Sequence, residues 1–223
     1  MSIKQNLQTI KSSIPEHITL VAVSKTKPVS DIMEAYNAGH KIFGENKVQD
    51  MVEKYKQMPK DISWHMIGHV QRNKVKYMAS FVSLIHGVDN FKLLKEINKQ
   101  AKKHNRIIDC LLQIKIAEED SKFGMLAEEA SKILSSEAFS ALKNINITGV
   151  MGMATFTDNE TQIKKEFNTL KSTFDSLKSY EKFNFKAEII SMGMSGDYKL
   201  AIDCGSTMIR VGSSIFGARN YSN

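Results

Sequence analysis

The chain has 223 residues, 42% of them hydrophobic and 25% charged, with a net charge of +7 and a pI near 9.2. That is ordinary globular composition for one sizeable domain, and no linker, low-complexity tract or repeat divides it. Cys110 and Cys204 are the only cysteines, no Cys/His cluster has zinc spacing, and no stretch approaches the roughly 18 apolar residues of a membrane span; a structural metal and a membrane anchor are not expected. The N-terminus has no apolar signal core, so a reducing cytoplasmic location is expected. Positive charge attracts phosphorylated ligands or nucleic acid. Here Lys92, Lys95, Lys99, Lys102 and Lys103 fall on the polar face of a helical pattern, with no recognition helix or aromatic-basic stripe, so no nucleic-acid partner is expected.

An amphipathic opening helix should end near Ser13, and the first strand runs from Ile18 to Val23. A helix capped at Ser30 and stopped at Gly39 follows. Ile42 to Gly44 is the second strand, Val48 to Tyr55 a helix, Trp64 to Ile67 the third strand, with a helix after Gln71. Phe81 to Val88 reads as the fourth strand. Asp89 or Asn90 then caps a helix whose Phe91, Leu94, Ile97 and Ala101 recur at helical spacing. Ile107 to Ile116 is the fifth strand, Leu126 to Leu134 a helix, and Ile145 to Met153 the sixth strand. Ile163, Phe167, Leu170, Phe174 and Leu177 repeat every three or four residues, as on a helix. Phe185 to Ile190 is the seventh strand, Tyr198 to Ile202 a short helix, Thr207 to Val211 the eighth strand, and a small helix follows.

Eight strands alternating with helices predict an α/β fold, most economically one closed (β/α)8 barrel over residues 1–223; an open doubly wound sheet is the alternative. In a barrel, ligand chemistry collects beyond the C-terminal ends of the strands. Lys25 stands there after the first strand, at the rim of the core, where poor solvation disfavours the ammonium and frees a nucleophilic amine. Lys27 is the rival amine, but it precedes Pro28 in an extended turn and should point to solvent. The loops after strands seven and eight, Ser191 to Asp197 and Arg210 to Ser214, are the places where barrels bind phosphate. A phosphate site facing a reactive lysine suits pyridoxal 5′-phosphate, which brings an aldehyde and a phosphate.

The motifs Ala22-Val23-Ser24-Lys25-Thr26-Lys27-Pro28, Phe43-Gly44-Glu45-Asn46, Ser121-Lys122-Phe123-Gly124, Ser191-Met192-Gly193-Met194-Ser195 and Gly205-Ser206-Thr207-Met208-Ile209-Arg210-Val211-Gly212 carry a specific likeness. Across nearly its whole length the chain resembles the pyridoxal phosphate homeostasis protein family, whose barrel is of the alanine racemase N-terminal type. The resemblance implies that Lys25 forms an internal aldimine with pyridoxal phosphate, that Asn46 borders the cofactor, that Ser195, Gly212 and Ser213 hold its phosphate, and that Arg210 faces the pyridine nitrogen. It further implies a monomeric carrier that buffers or delivers the cofactor to pyridoxal-phosphate-dependent apoenzymes, with effects on amino-acid and keto-acid balance. Ser213 stands where threonine is common in the family, and His69 adds an imidazole to the third loop.

Without the resemblance, Asn46 is about equally readable as a helix cap and Arg210 as a salt-bridge partner. Lys122 is a candidate second amine for loading or release. His65, His69 and His86 read as strand-end structural histidines. With Asn223 soon after the eighth strand, the added domain that supplies a racemase's second acid-base group is not expected, and no catalytic residue is assigned. A small racemase or Schiff-base lyase is the enzyme alternative, and a basic nucleic-acid binder the other.

Overall fold

The computed structural model describes residues 2–119 and 123–218. Eight parallel strands form a closed barrel in chain order: β1 (Thr19–Val23), β2 (Ile42–Glu45), β3 (Ser63–Met66), β4 (Leu84–Val88), β5 (Ile108–Gln113), β6 (Ile145–Met151), β7 (Phe185–Ser191) and β8 (Met208–Val211). Closure is made by β8 beside β1, with Leu20 opposite Ile209 and Val21 opposite Arg210. The helices are α1 (Ile3–Ser12), α2 (Val29–Asn37), α3 (Val48–Gln57), α4 (Val75–Met78), α5 (Phe91–Lys103), α6 (Ala127–Ser135), α7 (Glu137–Ser140), α8 (Glu160–Leu177), α9 (Tyr198–Asp203) and α10 (Ser213–Phe216).

Apart from β7, whose Lys186 and Glu188 are exposed, the strands are covered on both faces and read as apolar runs rather than as alternating patterns. The outward-facing residues join the helices in one large core: Phe43 and Trp64 on the strands, Ile97 of α5, and Phe167 and Leu170 of α8. Each such buried side chain contributes about 1.5–3 kcal/mol. The inward-facing residues form a separate small cluster, Val21, Leu84, Leu111, Met151 and Met208, joined by Ile42, Ile67 and Ile189. An apolar plug thus fills one layer of the barrel interior.

Of the α5 stripe, Leu94, Ile97 and Ala101 are buried and Phe91 is half-buried, and the Asn90 side chain accepts the Leu93 amide at 2.9 Å. On α8, Ile163, Phe167, Leu170, Phe174 and Leu177 are all buried. The structure differs from expectation at several element ends: β5 stops at Gln113 rather than Ile116, β6 stops at Met151 rather than Met153, and the sequence pattern does not anticipate the short helix α7. Two further differences have a local cause. The second helix begins at Val29 with Pro28 at its cap, and Ser30 lies inside its first turn; proline's preset φ and missing N–H suit that entry better than a serine cap. β4 starts at Leu84, because Val75–Met78 form a helical turn and Phe81 leaves the sheet to stack on Tyr55 with ring centroids 3.9 Å apart. At the bulge in β6, Gly149 has φ +152° and a Cβ there would lie 1.9 Å from the Ile189 oxygen. Glycine alone lets β6 bend past β7 there.

Candidate functional site

Beyond the C-terminal ends of the strands lies a cavity of about 460 Å³. Lys25, Asn46, Ser195, Arg210, Gly212 and Ser213 all line it. They come from four different strand ends, β1, β2, β7 and β8, and meet only because the barrel closes.

Lys25 sits in a tight turn directly after β1. The Lys27 amide donates to the Ser24 oxygen at 3.0 Å, and Thr26 has φ +64°. A β-branched residue in the left-handed region is strained by roughly 1–2 kcal/mol. The turn is held from below by a buried ion pair that sequence reading overlooked. Lys54 on α3 donates to Glu45 Oε1 at 2.7 Å and to the Ser24 carbonyl at 2.9 Å, while the Ser24 hydroxyl donates to the same Glu45 oxygen at 2.5 Å. Burial pushes the Glu45 pKa up, against the opposing pull of Lys54 and the Ser24 hydrogen bond.

Lys27 does not point free into solvent. Its Nζ donates to the Phe216 oxygen at 2.8 Å and the Ala218 oxygen at 3.1 Å, capping carbonyls at the end of α10. Helix-end carbonyls lacking an intrahelical partner attract a cation in this way. Asn46 is not the helix cap either; Lys47 takes that position in α3, and Asn46 faces the cavity.

Across the cavity, the Gly212 amide donates to Ser195 Oγ at 3.1 Å, which ties the β7 loop to the β8 loop. A Cβ on Gly212 would come within 3.2 Å of both Val23 Cβ and the Val23 oxygen, so this loop lies directly against the strand that presents Lys25. Ser213 opens α10 beside it. Arg210 is buried and donates to the Ser191 carbonyl at 2.8 Å, to Ser191 Oγ at 2.7 Å and to the Gly152 carbonyl at 3.1 Å. Burial lowers its pKa to about 10, partly opposed by Asp197, and the guanidinium remains charged at neutral pH.

The β6–α8 loop closes another side. Glu166, a buried carboxylate of α8, accepts from the Thr155 amide and hydroxyl at 2.7 Å each and from the Glu118 amide at 3.3 Å. Its position inside a helical pattern hid this role in the sequence. Phe156 in the same loop is 94% exposed at the cavity rim. His69, in the loop after β3, is not among the residues lining the cavity; its Nδ1 lies 3.1 Å from Asp89 and its ring stacks on Phe123 at 4.3 Å. His65 and His86 lie within the barrel, not at its mouth. Lys122 falls outside the described residues.

Fold and site together define a single-barrel protein of the alanine racemase N-terminal type. The family model "Alanine racemase, N-terminal domain" matches residues 1–220. Among curated proteins, the pyridoxal phosphate homeostasis protein of Vibrio alginolyticus is 38% identical, with 99% of each chain covered. That of Escherichia coli K12 is 34% identical over 93% of this chain and 88% of its own. Among solved structures, PipY of Synechococcus elongatus with PLP bound is 30% identical, with a TM-score of 0.87 over 97% of this chain and 100% of its own. An alanine racemase of Clostridium difficile, 16% identical, shares the fold at a TM-score of 0.81 over 99% of this chain and 61% of its own. The chain belongs to the pyridoxal phosphate homeostasis protein family.

Proposed function

We propose that this protein binds pyridoxal 5′-phosphate and serves intracellular vitamin B6 homeostasis, with Lys25 as the point of covalent attachment. The observation that carries the reading is the convergence of the strand-end Lys25, with Lys27 beside it on the cavity wall, and the Ser195–Gly212–Ser213 cradle in one cavity. The cavity suits the group: a side chain at Gly212 would crowd Val23, and backbone amides at the start of α10 together with the Ser195 hydroxyl are the donor set that phosphate takes. When bound, the cofactor supplies an aldehyde carbon that a lysine amine attacks with loss of water.

Each residue then has a distinct task. Lys25 holds the cofactor, and Asn46 borders it. Ser195, Gly212 and Ser213 retain the phosphate. Arg210 presents a charged guanidinium to the pyridine nitrogen; it disfavours a proton there and makes the ring a poor electron sink for carbanion chemistry. Lys27 Nζ is held by the Phe216 and Ala218 carbonyls, and attachment is assigned to Lys25 as the family resemblance implies. The relatives named pyridoxal phosphate homeostasis protein support the same reading. The whole chain, residues 1–223, works as one cytoplasmic, monomeric barrel that buffers the cofactor and passes it to dependent apoenzymes.

The test is spectroscopic. Purified protein is mixed with pyridoxal phosphate, adduct absorbance is recorded, the product is reduced with borohydride and the modified peptide is mapped. Label on Lys25, absent from Lys25→Ala, is the expected result. No adduct, or label on Lys27, overturns the assignment. Recovery of activity by a pyridoxal-phosphate-dependent apoenzyme mixed with loaded protein tests delivery.

A further inference from the structure

The barrel interior holds a second layer that the proposed function does not use. On β4, β7 and β8 the residues two positions after the apolar plug are polar: His86 after Leu84, Ser191 after Ile189 and Arg210 after Met208. A strand turns alternate residues to one face, so all three enter the interior one layer above the plug, beneath the cavity. His65 on β3 joins them. His65 Nδ1 lies 3.1 Å from His86 Nε2, and His86 Nδ1 lies 3.0 Å from Ser191 Oγ, which receives Arg210 at 2.7 Å.

The direction of this chain follows from counting protons. A guanidinium only donates. Ser191 Oγ therefore accepts from Arg210, and the serine is fully buried, with His86 Nδ1 the remaining partner of its hydroxyl among the described residues. Were His86 Nδ1–H to donate instead, the serine proton would be left without an acceptor in a buried site, the costly arrangement. The hydroxyl thus donates to His86 Nδ1. His86 carries its proton on Nε2 and donates to His65 Nδ1, which places the His65 proton on Nε2 as well.

We infer that Ser191, His86 and His65 form a one-way, uncharged hydrogen-bond chain whose task is to position Arg210 beneath the cavity. Neutrality has a physical cause: burial lowers the His65 pKa to about 3, and burial, His65 and Arg210 together hold His86 well below its ordinary value. A second cation under Arg210 would repel it. With neutral imidazoles behind it, the guanidinium keeps its place and its charge. These are positioning residues, and the assignment of Arg210's target rests on the proposed function.

Two measurements decide it. Imidazole 15N spectra of the ligand-free protein should show both His65 and His86 as Nε2–H tautomers with no titration between pH 5 and 8. An Nδ1–H tautomer at either residue, or a midpoint near the ordinary histidine value, overturns the chain. Next, Ser191→Ala and His86→Leu, loaded with pyridoxal phosphate labelled at the ring nitrogen, should shift the nitrogen resonance and weaken affinity about tenfold, the effect of one lost charge-assisted hydrogen bond. His86→Asn, which keeps an acceptor near Nδ1, should restore both. An unshifted resonance with unchanged affinity in folded Ser191→Ala overturns the positioning role. A wild type that takes up no cofactor overturns the functional reading and with it Arg210's target, while the tautomer spectra still decide the chain itself.

Discussion

Replacing Lys54 by methionine removes the cation of a buried pair and keeps the stem that packs beside it. In the wild type, Glu45 Oε1 accepts from both Lys54 and Ser24, the Glu45 side chain is fully buried, and its Oε2 has no hydrogen-bond partner among the described residues. Lys54→Met strands that carboxylate with a single hydroxyl. Removing one partner of a buried pair costs about 3–5 kcal/mol. For a chain of this length each kcal/mol moves Tm by about 2–4 °C, so the loss should be roughly 6–20 °C. The cost depends on pH in a defined direction. Burial already raises the Glu45 pKa, and the variant deletes the Lys54 charge that opposed the rise. Because the folded pKa then stands above the unfolded one, the native state binds the proton more tightly, and stability falls as pH climbs from the ordinary carboxylate range through the raised folded value. Urea denaturation at pH 5 and pH 8 should show the larger loss at pH 8. The double variant Glu45→Gln/Lys54→Met, with no charge left to strand, should recover more than half of it. A loss under about 1 kcal/mol in Lys54→Met, the same at both pH values, would refute the account, since an exposed pair behaves that way. The same variant frees the Ser24 carbonyl and should slow adduct formation at Lys25.

Three further outcomes are expected. Gly212→Ala brings a methyl within 3.2 Å of Val23; overpacking of this kind costs about 1–3 kcal/mol, and pyridoxal phosphate affinity measured by equilibrium titration should fall about tenfold or more. Thr26→Asn relieves a left-handed β-branched residue and should raise stability by up to about 1 kcal/mol, visible as a Tm increase with adduct formation unchanged. Glu166→Gln removes the charge from the bonds to the Thr155 amide and hydroxyl; a loss of about 1–2 kcal/mol is expected, with faster amide hydrogen exchange at Thr155 and weaker cofactor retention.

The site was legible where its residues announce themselves locally. Lys25 follows an apolar strand, and the Gly212 and Ser195 loops follow strands seven and eight of a counted series. What escaped was every contact made across elements. Lys27 looked free because Pro28 marks an exit from the barrel, yet the carbonyls it caps lie 189 and 191 residues away. Glu166 sits within a helical stripe, and nothing in the spacing separates a carboxylate that holds two loops from one facing water. Glu45 stood only as one member of the Phe43-Gly44-Glu45-Asn46 motif, and Lys54 as one more residue of the helix from Val48 to Tyr55.

The amino-acid order by itself determined the alternation of eight strands with helices, the polar tips after β1, β2, β7 and β8, and the split between residues on a given strand face, because period-2 and period-3.6 patterning are local properties of the backbone. Only the tertiary structure decided which strand face looks inward and at what height. Closure of β8 on β1 sets that register, and through it Leu84, Ile189 and Met208 become a plug, while His86, Ser191 and Arg210 become a connected layer beneath the cavity. The physical reason is that a hydrogen bond between strands depends on their relative shift, a quantity that belongs to the assembled barrel and to no single segment of the chain.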